Sequence, residues 1–188
     1  MSGPHKKDVG AVVRRGGVSF RVWAPFASSV AVSGSFNEWQ ETPMESEGDG
    51  YWAVTVQGAQ AGQEYRYAIR NGEQRLFKND PRALQVTTSA GNSVIVDTHF
   101  DWTDQKFKPA DIDKQVVYEM HVGTFYRPDP STIGTFEDIC AKLDYLQKLG
   151  VTTIELMPIS TMSPEREWWG YTPMYIYTVE SQYGGRHK

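Results

Sequence analysis

The order of apolar and polar residues divides the chain into two parts with different periods. From Val9 to Asp97 the period is two: Val18, Phe20 and Val22 alternate with Ser19, Arg21 and Trp23, and Tyr65, Tyr67 and Ile69 alternate with Arg66. A strand sends such residues to opposite faces. The pattern predicts strands over residues 9–15, 17–25, 30–34, 51–56, 64–70 and 94–96. Gly16-Gly17 and Asn71-Gly72 are hairpin signals, because glycine reaches positive φ without a steric penalty. Short strands with regular turns indicate a β-sandwich. Trp23 and Trp52 are read as core rings.

Beyond residue 115 the period changes. Val116 to Met120 is a β-branched and aromatic run, which is strand chemistry. Phe136, Ile139, Cys140, Leu143 and Leu146 fall at helical spacing and predict one helix over residues 135–149. Thr135 is its N-cap, Asp138 completes a capping box and Gly150 ends it. Cys140 lies on the apolar face and is expected to be buried. Thr152 to Met157 is a second strand, stopped by Pro158. Strand, helix and strand make a βαβ unit, which forms a parallel pair and needs further strands beside it. The linker over 98–114 holds Phe100, Trp102, Phe107 and Pro109 and reads as an extended connector with its rings packed at the junction.

Composition narrows the function. The 188 residues carry 19 basic and 23 acidic side chains, interspersed, for a net charge of −4. The absence of a basic stripe argues against nucleic acid as a partner. One cysteine allows no intramolecular disulfide. The start, Met1 to Asp8, is polar, and no apolar run is long enough to span a bilayer. A soluble cytoplasmic protein without metal or cofactor is expected. Rings make up 13% of the residues, and flat rings without a basic field suit the C–H faces of sugars.

Val32-Ser33-Gly34-Ser35-Phe36-Asn37-Glu38-Trp39 resembles the signature of the family 48 carbohydrate-binding modules. Gly50-Tyr51-Trp52, Gly62 to Tyr67, Asn79-Asp80-Pro81 and Gly91-Asn92-Ser93 follow in the family order. These immunoglobulin-like modules precede the barrel of glycogen branching enzymes and isoamylases, and occur alone in kinase β subunits. The resemblance implies that Trp39 stacks on glucose and that Arg66 hydrogen-bonds sugar hydroxyls. It places Phe77 at a second stacking position, where the family usually has Trp, and Asn92 at a polar position closing the site. Two roles stay open for the sandwich: binding α-glucan, or packing against a barrel.

Val117 to Phe125, Leu149 to Ile159, and Trp169-Gly170-Tyr171-Thr172-Pro173 with Tyr183-Gly184-Gly185 resemble the start of the α-amylase superfamily barrel, glycoside hydrolase family 13. The type is that of branching enzymes, isoamylases and maltooligosyl-trehalose trehalohydrolases. The resemblance implies an immunoglobulin-like sandwich (1–97), a linker (98–114) and an incomplete TIM-barrel segment of two strands and one helix (115–188). It implies the amino-terminal fragment of an α-glucan-processing enzyme, with Tyr171 stacking on the sugar beside the cleaved bond. Retaining hydrolysis needs two carboxyl groups about 5–5.5 Å apart. The family carries its carboxylates on strands four, five and seven, so no catalytic residue is expected here and the chain alone should be inactive. Glu119 and Glu155 match no catalytic motif, and His121 reads as structural. The expected partners are α-glucan (glycogen, starch or maltooligosaccharide) and the missing barrel portion, or a second copy through the truncated segment. A stand-alone glucan-binding or regulatory module is the alternative. Arg186-His187-Lys188 departs from the family pattern and suggests an artificial boundary.

Overall fold

The computed structural model describes residues 8–163 and 169–185. Residues 1–7 and Arg186-His187-Lys188, with the expectation attached to each, lie outside the described residues. The chain divides into two units, Met1–Thr98 and His99–Lys188.

The first unit is a sandwich of two antiparallel sheets. Its strands are β1 (Gly10–Arg14), β2 (Gly17–Trp23), β3 (Ser29–Gly34), β4 (Thr42–Pro43), β5 (Glu45–Gly48), β6 (Tyr51–Gln57), β7 (Glu64–Asn71), β8 (Gln74–Lys78) and β9 (Ser93–Val94). One sheet runs β1-β2-β6-β5. The other runs β4-β3-β7-β8, with β9 also pairing to β7. Val18, Phe20, Val22, Val30, Val32, Tyr65, Tyr67 and Ile95 form the buried core. The alternation seen in β2 and β7 thus becomes an inner and an outer face. Phe20 meets Tyr65 edge-on at 5.1 Å.

Both hairpins form, each with a two-residue loop. Arg14 pairs with Gly17 and Asn71 with Gln74, so the loops are Arg15-Gly16 and Gly72-Glu73, with Gly16 at φ 88° and Gly72 at φ 56°. Strand β8 is exposed throughout, which is why no apolar alternation announces it. Trp23 corrects the sequence reading, being 57% exposed. It follows Arg21 on the outer side of β2, and its indole N–H donates to the Asp49 carbonyl at 3.1 Å. Trp52 packs partly buried against the core.

The second unit contains β10 (Val117–Met120), α1 (Val122–Phe125), α2 (Phe136–Cys140), α3 (Leu143–Leu149), β11 (Thr153–Leu156), β12 (Thr161–Met162) and β13 (Pro173–Tyr175). Strands β10 and β11 are parallel, in register from Val117↔Thr153 to Met120↔Leu156. The core joins Met120, Val122, Ile139, Leu146 and Tyr183, with Phe136 and Ile154 packed on it. The capping box forms: Thr135 Oγ1 accepts from the Asp138 amide at 3.3 Å, and Asp138 Oδ2 accepts from the Thr135 amide at 2.8 Å.

The single expected helix is divided in two. The Lys142 amide donates to the Ile139 carbonyl at 2.8 Å, an i to i−3 bond that tightens the chain into a turn. Lys142 there has φ −111° and ψ 2°, outside the helical basin. Cys140 and Leu143 are exposed, against expectation, while Ile139 and Leu146 stay buried. The first strand also ends earlier than its motif, because Val122–Phe125 turns helical over the His121 carbonyl. In the linker, Phe100, Trp102 and Phe107 are exposed. Among the described residues no helix is long and apolar enough to cross a membrane, and no group of three or more metal-ligating side chains occurs.

Candidate functional site: an aromatic groove on the second sheet

The outward face of β7 is the floor of the site. Tyr65 and Tyr67 point into the core, so Glu64, Arg66 and Ala68 point outward. By register Ser33 lies opposite Arg66, and Phe77 opposite Ala68.

A turn after β3 presents Trp39. Glu38 and Trp39 sit at φ 55° and 61°, consecutive left-handed conformations that cost on the order of 1–2 kcal/mol each for L-residues. The surroundings hold them there. The Trp39 amide donates to the Gly34 carbonyl at 2.8 Å, and Ser33 Oγ donates to the Trp39 carbonyl at 2.8 Å. Asn37 Oδ1 accepts from the Gly34 amide at 2.9 Å, and Asn37 Nδ2 donates to Thr42 at 2.9 Å. A Cβ on Gly34 would lie 2.4 Å from the Glu64 carbonyl oxygen. The signature residues therefore build the turn, and the ring is left 45% exposed.

Phe77 on β8 is 47% exposed. The Arg75 guanidinium lies 4.7 Å from its ring centroid. Arg75 and Arg70 both hold Glu41, and the hydrogen bond from Arg70 is the largest influence holding that carboxyl below its usual range.

The loop from Asn79 to Ser93 forms the far wall. Arg66 Nη2 donates to the carbonyls of Ala90 and Gly91 at 3.2 and 3.1 Å, and Asn79 Nδ2 donates to the Gly91 carbonyl at 2.7 Å. Asn92 Nδ2 donates to Glu64 Oε2 at 2.6 Å. Beneath the loop Asp80 is fully buried. Its Oδ2 accepts from the hydroxyls of Tyr65 and Tyr67 at 2.8 and 3.2 Å, and Oδ1 from the Arg82 amide at 2.7 Å. Burial, the largest influence, raises the Asp80 pKa although these donors pull it down.

Trp39, Arg66, Phe77 and Asn92 line one open groove of about 420 Å³. Two exposed rings, a cation and an amide converge there from four separate stretches of sequence. Glu64, Asn79 and Asp80 are supporting residues that motif reading left without a role. The signal available for Glu64 was its position, two residues from Arg66 on the same face.

Tyr171 belongs to the second unit and is 64% exposed. It follows a tight turn in which Trp169 has φ 59° and Gly170 has φ 80°, and a Cβ on Gly170 would lie 2.1 Å from the Pro158 carbonyl oxygen. His121, just past the end of β10, has both ring nitrogens engaged: Nε2 with the Tyr183 hydroxyl at 2.9 Å and Nδ1 with Thr124 Oγ1 at 3.0 Å. Its ring is 5.5 Å from that of Trp169. Burial lowers its pKa, which favours the neutral imidazole.

The architecture is modular: an antiparallel sandwich with an aromatic groove is followed in sequence by a parallel βαβ unit. Residues 8–83 match carbohydrate-binding module 48, the isoamylase N-terminal domain, and residues 120–188 match the alpha amylase catalytic domain. The chain belongs to the α-amylase family of glycoside hydrolases, family 13, and carries its family 48 module with part of the catalytic domain. It is 35% identical to the malto-oligosyltrehalose trehalohydrolase of Saccharolobus solfataricus, over 90% of this chain and 28% of that protein. It is 33% identical to a 1,4-alpha-glucan branching enzyme of Pseudoalteromonas atlantica, over 95% of this chain and 26% of that protein. Among solved structures, a putative alpha amylase from Salmonella typhimurium is similar with a TM-score of 0.80 and 34% identity, over 95% of this chain and 29% of that one. The apo pullulanase of Paenibacillus barengoltzii is similar with a TM-score of 0.81 and 28% identity, over 96% of this chain and 33% of that one. The chain thus spans about a quarter to a third of the length of these relatives.

Proposed function

We propose that this chain is the front part of an α-glucan-processing enzyme and that its sandwich binds α-glucan through the groove of Trp39, Arg66, Phe77 and Asn92. The convergence of these four side chains on one open groove carries the reading. Glucose presents flat C–H faces to rings and hydroxyls to amides and cations, and the groove offers both kinds of group. The substrates are glycogen, starch or maltooligosaccharides, acted on by the whole enzyme at α-glucosidic bonds. Tyr171 is the ring that the second unit contributes to a sugar subsite. An open cleft of about 360 Å³ lined by Leu143, Leu146, Val151 and Ile154 among others is where further barrel elements, or failing those a second copy, would cover apolar surface. The match over residues 120–188 favours this reading over a stand-alone regulatory module.

Calorimetry with maltoheptaose and glycogen, on the chain and on Trp39→Ala, tests the proposal. Saturable binding that is lost in the variant is the expected result. No binding in either protein overturns it and leaves the sandwich a purely structural partner.

A further inference from the structure

We infer that Glu64 is a positioning residue for glucan recognition, acting through Asn92. This inference rests on the groove being a glucan site. The side chain of Asn92 is an amide with one acceptor and one donor end, and which end meets a ligand decides what the site can read. Asn92 Nδ2 donates to Glu64 Oε2 at 2.6 Å. An ionised carboxylate only accepts hydrogen bonds, so it can take the NH2 end and not the oxygen. Oδ1 is therefore left as the amide's acceptor, and Asn92 lines the groove.

Three further contacts keep this arrangement rigid. Asn92 donates its amide N–H to Thr87 Oγ1 at 3.0 Å, and its carbonyl accepts from the Thr87 amide at 2.9 Å. Glu64 is held at its own main chain, where its amide donates to Ser35 Oγ at 3.1 Å. Glu64 and Arg66 share the outward face of β7, so one strand sets both the amide's orientation and the main-chain position of the 90–91 turn. Arg66 Nη2 is committed to the Ala90 and Gly91 carbonyls. A guanidinium and an indole only donate, so among the four groove side chains the acceptor role toward sugar hydroxyls falls to Asn92 Oδ1.

The test is a double-mutant cycle read by maltoheptaose affinity on the full chain, with thermal melts alongside. Glu64→Ala should weaken binding about three- to tenfold, the range of one hydrogen bond. In the Asn92→Ala background the same change should have almost no effect, because the two residues act as one unit. A second arm does not depend on the alanine variant folding. Asn92→Asp sets two carboxylates against each other and should weaken binding, whereas Asn92→Asp with Glu64→Gln restores a donor–acceptor pair and should recover most of it. Equal effects of Glu64→Ala with and without Asn92 overturn the inference, as does failure of Glu64→Gln to rescue Asn92→Asp. Absence of binding by the unaltered chain overturns the glucan reading itself and this inference with it. Binding by the unaltered chain that is indifferent to Glu64 overturns this inference alone.

Discussion

Ser33 donates its hydroxyl to the main-chain carbonyl of Trp39 at 2.8 Å. Ser33 is only 2% exposed, so this bond is made away from competing water. It helps hold a ring on a left-handed backbone that Trp would not adopt unaided. Ser33→Ala should lower stability by about 1 kcal/mol and weaken maltoheptaose binding while leaving the strand pairing intact. Chemical denaturation and calorimetry on the same preparation check both outcomes.

Asp80 links the core to the groove wall. Asp80→Ala leaves two buried tyrosine hydroxyls without an acceptor, and a loss of roughly 2–6 kcal/mol is expected at about 1–3 kcal/mol for each orphaned group. The pH dependence has a definite sign. The folded pKa is raised above the ordinary 3.8, so the folded state holds this proton more tightly than the unfolded chain. Asp80's contribution is fully present below pH 3.8 and declines as pH rises through the raised value. Asp80→Asn cannot ionise. The difference in urea midpoint between the unaltered chain and Asp80→Asn should therefore shift across that window, and a constant difference would refute the assignment.

The tyrosines give a second titration at the other end of the scale. Burial is the main cause raising Tyr65 and Tyr67, and it pushes Tyr183 up to about 12. Stability from these groups is present below pH 10 and is lost as pH rises toward and beyond 12. Tyrosinate absorbance against pH, followed beside a fold-sensitive signal, checks this. Tyr183 should ionise late, at about 12, and Tyr65 and Tyr67, raised well above the ordinary value, later still or with unfolding.

His121 predicts an acid-side weakness in the second unit. Its pKa is lowered from 6.5 by burial. The group's contribution is present above pH 6.5 and is lost as pH falls through the lowered value. Hydrogen-exchange protection of residues 121–125 and 181–184, corrected for the intrinsic rate, should fall as pH drops through the lowered value. His121→Phe should abolish that dependence.

The period-two pattern was sufficient to place the strands that carry the core, because Val18, Phe20, Val22, Tyr65 and Tyr67 had one buried face to satisfy. It could not announce β4, β5 or β8, which are short or wholly exposed and are held by main-chain bonds. The same pattern put Trp23 on the outer side of β2; assigning it to the core gave ring size more weight than position. The helix over 135–149 was visible at both ends, through Thr135, Asp138 and Gly150. Its interruption at Lys142 was not, since spacing alone does not report whether an amide bonds three or four residues back. Trp39, Arg66, Phe77 and Asn92 were legible only as pieces of a motif, and their meeting in one groove depends on pairing between β3, β7 and β8. Glu64, Asn79 and Asp80 escaped because their contribution lies in hydrogen bonds to other site-forming segments.

Strand β7 carries core and groove on alternate residues. A one-residue insertion or deletion within it would exchange the places of Tyr65 and Tyr67 with those of Arg66 and Ala68. Selection can therefore retune this strand only by substitution, never by length. The 82–91 loop is bound as closely, fastened at its base where the Asp80 amide donates to Ser93 Oγ and tied to the groove through Thr87, Ala90 and Gly91. Divergence in ligand preference among proteins of this design should accumulate as substitutions at the groove, over a strand whose length stays constant.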